Sequence, residues 1–227
     1  MSNSDGFIEE VTEELRRDQM MATLKRYGWI AVLVVLLIVG GAAFSEYRKA
    51  QTRAQAEGLG DAILTALNND EAAARVSGLQ AVEASDPQAA AVLALLTASE
   101  QLAAEDLGGA IANLDAVAAN SEILLIYRQI AQFKALTLQS ETMPAAERKQ
   151  GFEALGAVGG NLSLLAQEQL ALIAVQEGDI ETAIATYQTV LSDAGVTPDL
   201  QQRALQVIVA LGGEPEFNGS PIDENNG

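Results

Sequence analysis

Between Tyr27 and Ser45 the chain carries no charged side chain, and no other stretch constrains its fold as strongly. At about 1.5 Å per residue, a helix from Tyr27 to Tyr47 would span roughly 31 Å, the thickness of a bilayer's hydrocarbon core. Tyr27 and Trp29 stand at one end and Phe44 and Tyr47 at the other, where amphipathic rings favour the headgroup level. Lys25 and Arg26 precede the run and Arg48 and Lys49 follow it, so charged heads can reach both interfaces. A retained transmembrane helix over 27–47 is expected, anchored by Trp29, Leu33, Leu36, Leu37 and Phe44. A cleaved secretory signal is the main alternative, with Gly40 and Ala42 as small residues for a peptidase. Against it, the preceding residues hold six acids, and the apolar run exceeds the roughly 7–15 residues of a signal core. A buried helix of a globular domain is the third possibility. Gly41 and Ser45 form one small-xxx-small pair, a spacing that suits contact with another membrane helix but is common in such helices anyway.

Charge is divided unevenly around this run. Through Arg53 the chain has seven basic and seven acidic side chains; beyond it there are six basic and 24 acidic ones, so the later part holds the whole net charge of −18. Nucleic acid is excluded as an expected partner, because affinity for phosphate backbones comes from Lys and Arg. Four bases precede the apolar run closely and three follow it, too small a bias to orient it alone. After Arg53 the next base is Arg75, and a long acidic domain translocates largely regardless of charge. The expected topology places the N-terminus in the cytoplasm and the large domain outside it.

The chain has no Cys and no His. Disulfides, thiol catalysis and Cys-based zinc sites are thereby removed, together with the usual general base and the commonest metal ligand. Carboxylate pairs remain as catalytic material, but the acids fall mostly at helix surfaces and caps, and no constellation appears. No catalytic residue, cofactor, metal or small-molecule substrate is expected.

Residues 1–26 place Phe7, Val11 and Leu15 at four-residue spacing, with acids early and bases late, which reads as a short amphipathic cytoplasmic helix. It serves either as a lead-in to the anchor or as a docking element. From residue 48 to 213 the chain reads as helices of 15–20 residues between short breakers. These are "GLG" at 58–60, "NND" at 68–70, "SDP" at 85–87, "EDLGG" from 105, "NS" at 120, "TMP" at 142–144, "GGN" at 159–161, "EGD" at 177–179, "TP" at 197 and "GG" at 212. Sparse aromatics, at 4%, and abundant Ala and Leu favour an all-α fold of stacked hairpins. The polar tail 214–227 is expected to be disordered.

One hairpin has the tetratricopeptide register: Leu170, Ala171, Gly178, Asp179, Ala183 and Tyr187. Ala171 and Ala183 allow close helix approach, Gly178 ends the first helix, and Tyr187 fills the space beside the next hairpin. A weaker copy has Ala98, Asp106, Ala110 and Leu114, with Glu105 where glycine is expected and Leu114 in place of the ring. The 73 residues from Ala98 to Ala171 leave room for one lengthened hairpin between them. A generic helical bundle with similar Ala and Leu spacing is the alternative.

This layout, with "SEYRKAQTRAQAEGLGDAI" after the apolar run and "EGDIETAIATYQTVL" near the end, resembles the YfgM family of bacterial inner-membrane proteins. The resemblance covers about residues 7–213. It implies a single transmembrane helix followed by a periplasmic tetratricopeptide-like solenoid. It also implies an ancillary role at the Sec translocon, linking exported polypeptides to periplasmic chaperones. The implied partners are proteins, namely translocon subunits and periplasmic chaperones, and the implied activity is binding rather than catalysis. An accessory subunit of another inner-membrane complex, held mainly by its transmembrane helix, is the alternative function.

Overall fold

The computed structural model describes the backbone of residues 4–216; within the helices, the side chains of residues 4–20, 22–24, 27, 28, 31, 32 and 161 lie outside the described set. All described elements are α-helices: α1 Ser4–Leu67, α2 Ala72–Gln80, α3 Pro87–Ala103, α4 Leu107–Ala119, α5 Leu125–Leu138, α6 Ala145–Ala157, α7 Asn161–Glu177, α8 Ile180–Ser192 and α9 Pro198–Ala210. The chain divides into two compact units, Met1–Gly58 and Leu59–Gly227.

In the first unit the described residues belong to α1, so the lead-in and the apolar run form one continuous helix. The stripe of Phe7, Val11 and Leu15 lies outside the described side chains, as does the tail beyond residue 216. Among the described residues no helix is long and apolar enough to cross a membrane. The uncharged run is described without interruption only from Leu33 to Ser45, because Tyr27, Gly28, Ala31 and Val32 fall outside.

The expected break at 58–60 is absent, and α1 continues to Leu67. A glycine in a helix interior costs only about 1 kcal/mol. The residues beyond offset that cost: Ala66 is buried beside Leu79 of α2, with Ile63 and Leu67 packed against them. Asn69 Nδ2 caps the helix by donating to the Ala66 carbonyl at 2.8 Å. Arg75 of α2 donates to the carbonyls of Asn69 and Asp70 and pairs with Glu100 of α3, tying turn and helices together.

The second unit is built in sequence order, which is consistent with a helical solenoid. Its cores are local: one joins α3, α4 and α5, the next α5, α6 and α7, the next α7, α8 and α9. Most expected breakers act as predicted. Asp86 accepts from the backbone N–H of Gln88 and Ala89 at 2.9 and 3.0 Å with Pro87 at the first helical position, and Thr197 with Pro198 opens α9 likewise. Gly178 and Gly212 end α7 and α9 at φ 79° and 83°.

A common register links the second helices of four hairpins, one more than the sequence reading finds. The residues capping α2, α4, α6 and α8 are Glu71, Asp106, Pro144 and Asp179. Eight positions on stand Leu79, Leu114, Phe152 and Tyr187, each no more than 1% exposed. Burying side chains of this size stabilises by about 1.5–3 kcal/mol each. The intervals between them are 35, 38 and 35 residues, so the third hairpin is the lengthened one.

Candidate protein-binding groove

First helices of successive hairpins lie beside one another: α3 contacts α5, and α5 contacts α7. Between α3 and α5 this leaves a groove of about 200 Å³. Leu95, Ala98, Ser99 and Leu102 of α3 form one wall, Phe133, Lys134, Thr137 and Leu138 of α5 the other, and Leu114 of α4 lies beneath. The spacing 95, 98, 99, 102 puts the α3 residues on one stripe of the helix, as 133, 134, 137, 138 does for α5. Phe133 is held in place by an edge-to-face contact with Phe152, with ring centroids 5.7 Å apart.

The lining is apolar apart from three side chains. Ser99 Oγ donates to the Leu95 carbonyl at 3.2 Å and Thr137 Oγ1 to the Phe133 carbonyl at 2.8 Å, so both hydroxyl donors are engaged within their own helices. Lys134 is exposed and has no hydrogen bond or ion pair among the described residues. The volume is below the roughly 300–1,000 Å³ of small-molecule sites, and fits a bulky side chain better than an organic cofactor. Toward the start of both helices the apolar surface continues: Val92 lies one turn before Leu95, and Ile126 two turns before Lys134, with 45% and 51% of their surfaces exposed. Beside Ile126, Leu124 and Leu125 are also exposed. The segment holding them is clamped by Gln88, whose amide accepts from Leu124 N–H at 2.8 Å and donates to the Glu122 carbonyl at 3.0 Å.

Ala98 and Leu114 of the expected repeat signature therefore border the groove. The others lie elsewhere. Ala110, Ala171, Ala183 and Tyr187 are buried between helices, Leu170 is half-buried against the Phe152 cluster, and Gly178 and Asp179 are exposed at the α7–α8 turn. Asp179 accepts from Thr182 N–H at 3.1 Å, and hydrogen bonding from Thr182 holds its carboxyl below the usual range. Tyr187 is pushed up to about 12, chiefly by burial and then by the neighbouring charge of Glu168. Glu168 in turn receives Arg203 of α9 through two hydrogen bonds, at 2.7 and 2.9 Å, which raise the guanidinium's pKa. Of the expected anchor residues, Trp29, Leu33, Leu36, Leu37 and Phe44 are each between 45% and 66% exposed. Among the described residues no group of three or more His, Cys, Asp or Glu is placed to hold a metal ion.

Phe133, Lys134, Thr137 and Leu138 were missed by sequence reasoning because they belong to the hairpin without a turn signature. The Pro144, Arg148, Phe152 spacing could have set its register. Comparison with family models, characterised proteins and solved structures finds no match to this chain.

Proposed function

We propose that the chain is a membrane-tethered, non-enzymatic protein-binding module whose tetratricopeptide-like hairpins receive polypeptide in the groove between α3 and α5. The carrying observation is that groove: an open apolar channel between adjacent helices, with its hydroxyl donors already satisfied and Lys134, unpaired among the described residues, on its rim. Grooves between stacked hairpins are the usual binding surfaces of such solenoids.

Support for the tether comes from the first unit. Every residue from Leu33 to Val39 is apolar and exposed, so this stretch of the helix is apolar all round. Hydrocarbon is the medium in which such a surface is stable. With 27–47 as the anchor, the N-terminus is cytoplasmic and the acidic domain periplasmic, in the inner membrane. The resemblance noted above then suggests an ancillary subunit of the Sec translocon that passes exported polypeptides to periplasmic chaperones. Tethering raises the local concentration of the groove, so weak contacts suffice.

A photocrosslinking amino acid at Ser99 or Thr137, tested in native membranes, checks this reading. Adducts with exported polypeptides, translocon subunits or periplasmic chaperones are expected, and their complete absence overturns it. The exposed apolar helix also favours a second reading, an accessory subunit held mainly by its anchor. Replacing Trp29–Ser45 with an unrelated membrane helix separates the two, since association through the groove survives the exchange and association through the anchor does not.

A further inference from the structure

Helix α5 carries Arg128 and Lys134 and no acid, in a chain of net charge −18. Arg128 is engaged, its Nε donating to the Ala118 carbonyl at 3.1 Å. Lys134 has no hydrogen bond or ion pair among the described residues and sits on the groove wall. Glu100, the one acid of α3, is tied to Arg75 of α2 and so does not compete for the ammonium. The groove thus offers an apolar slot beside the Lys134 ammonium, which no described acid neutralises.

From these observations we infer that the groove selects extended polypeptide segments in which a bulky apolar side chain is followed within one or two residues by Asp or Glu. The inference rests on the binding role proposed above and specifies its ligand. The apolar side chain enters between Leu95, Leu102, Phe133 and Leu138, and the carboxylate meets the Lys134 ammonium at the rim. The stripe from Val92 to Leu102 spans about 15 Å, enough for four or five residues of extended chain. Charge complementarity here is local and opposes the field of the whole molecule, which repels acidic chains. A preference for acidic peptide therefore reports Lys134 rather than net charge.

The test uses the full chain in detergent micelles at about 0.15 M ionic strength, where a Debye length of about 8 Å screens distant charges more than a contact pair. Three peptides carrying fluorescein on the N-terminal amine serve as probes: Ser-Gly-Leu-Phe-Asp-Asp-Gly-amide, its counterpart with Asn-Asn, and its counterpart with Lys-Lys. Binding by fluorescence anisotropy is expected to be tightest for the acidic peptide, about 3- to 5-fold weaker for the neutral one, and about 10-fold weaker for the basic one. Lys134→Gln should erase the gap between acidic and neutral peptides, and Lys134→Glu should invert the series. Ser99→Trp, which fills the slot from its exposed rim, should weaken all three. Equal affinity for acidic and neutral peptides, or an order unchanged by Lys134→Glu, overturns the inference; the binding role survives if Ser99→Trp still blocks. Absence of binding by every peptide, or binding indifferent to Ser99→Trp, overturns both.

Discussion

The turns joining α3 to α4 and α7 to α8 share one backbone made from different residues. Asp106 and Asp179 have φ, ψ of −90°, 71° and −85°, 74°. Their N–H groups donate to the carbonyls of Gln101 and Ala174 at 2.8 and 2.9 Å. Both side chains cap the helix that follows, accepting from Gly109 and Thr182. Immediately before them the backbone turns left-handed, at Gly178 with φ 79° and at Glu105 with φ 60°. In each hairpin a pair of buried alanines, one on each helix, goes with that turn: Ala98 and Ala110, and Ala171 and Ala183. The geometry belongs to the hairpin, and one sequence meets it at lower cost than the other.

The largest break in this pairing comes from the residue eight positions beyond each cap. Tyr187→Ala should destabilise the domain by about 3–5 kcal/mol and Leu114→Ala by about 2–5 kcal/mol, since each empties a fully buried site between three helices. Urea denaturation followed by far-UV ellipticity measures both. Equal, small losses would mean that the two hairpins are not the core elements their burial indicates.

Next is a pH effect that only one hairpin has. The Tyr187 phenol titrates near 12 in the folded chain against about 10 unfolded. Because the folded value is the higher, this contribution is fully present below pH 10 and is lost as pH rises toward 12. The loss amounts to about 2–3 kcal/mol at the upper end. Tyr187→Phe should lack this fall, so the stability difference between wild type and variant should change by that amount across the window. A slope identical in both chains would remove the phenol from the account.

A smaller effect attaches to α9. Arg203 is about half exposed while Glu168 is mostly covered, so the pair is partly screened by solvent. Arg203→Met should cost about 1 kcal/mol in the same denaturation experiment. The hairpin of α3 and α4 has no matching loss, because its own Arg75–Glu100 pair joins it to α2 instead.

These contrasts also explain what could be read from the sequence. The caps and turns with explicit chemistry were legible: Asp86 with Pro87, Gly178 with Asp179, Thr197 with Pro198. Hairpin α5–α6 was not, because Pro144 stands at the capping position and Arg148 where the α3–α4 and α7–α8 hairpins have Ala110 and Ala183. Arg148 is 4% exposed, donates through Nη2 to Gln176 and leaves its Nε without a partner. A charged residue in the slot that those hairpins fill with alanine masks the repeat, and only the spacing of Pro144 and Phe152 keeps its register. The hairpin of α2 has Arg75 in that same slot and was hidden further because its first helix is the end of α1, and Gly58 with Gly60 suggest a break where tertiary packing carries the helix through. The groove followed the same limit. Ala98 and Leu114 were singled out for packing, but the wall that carries Lys134 lies in the unrecognised hairpin.

The smallest expected effect bears most directly on the paired turns. A non-glycine residue in the left-handed region is disfavoured by the contact of its Cβ with the backbone, at roughly 1–2 kcal/mol. Glycine removes that contact but gives the unfolded chain more freedom, which returns part of the gain. Glu105→Gly should therefore stabilise the domain by about 0.5–1 kcal/mol, and it leaves the Asp106 cap intact because that bond comes from the next side chain. Gly178→Ala should act in the opposite sense, by about 1 kcal/mol, although there is open space where its Cβ would lie. Opposite signs at equivalent positions would establish that backbone conformation, not side-chain contact, sets the cost of this turn. If Glu105→Gly instead destabilises, the glutamate side chain makes a contribution that outweighs its backbone strain, and the two turns are alike in shape only.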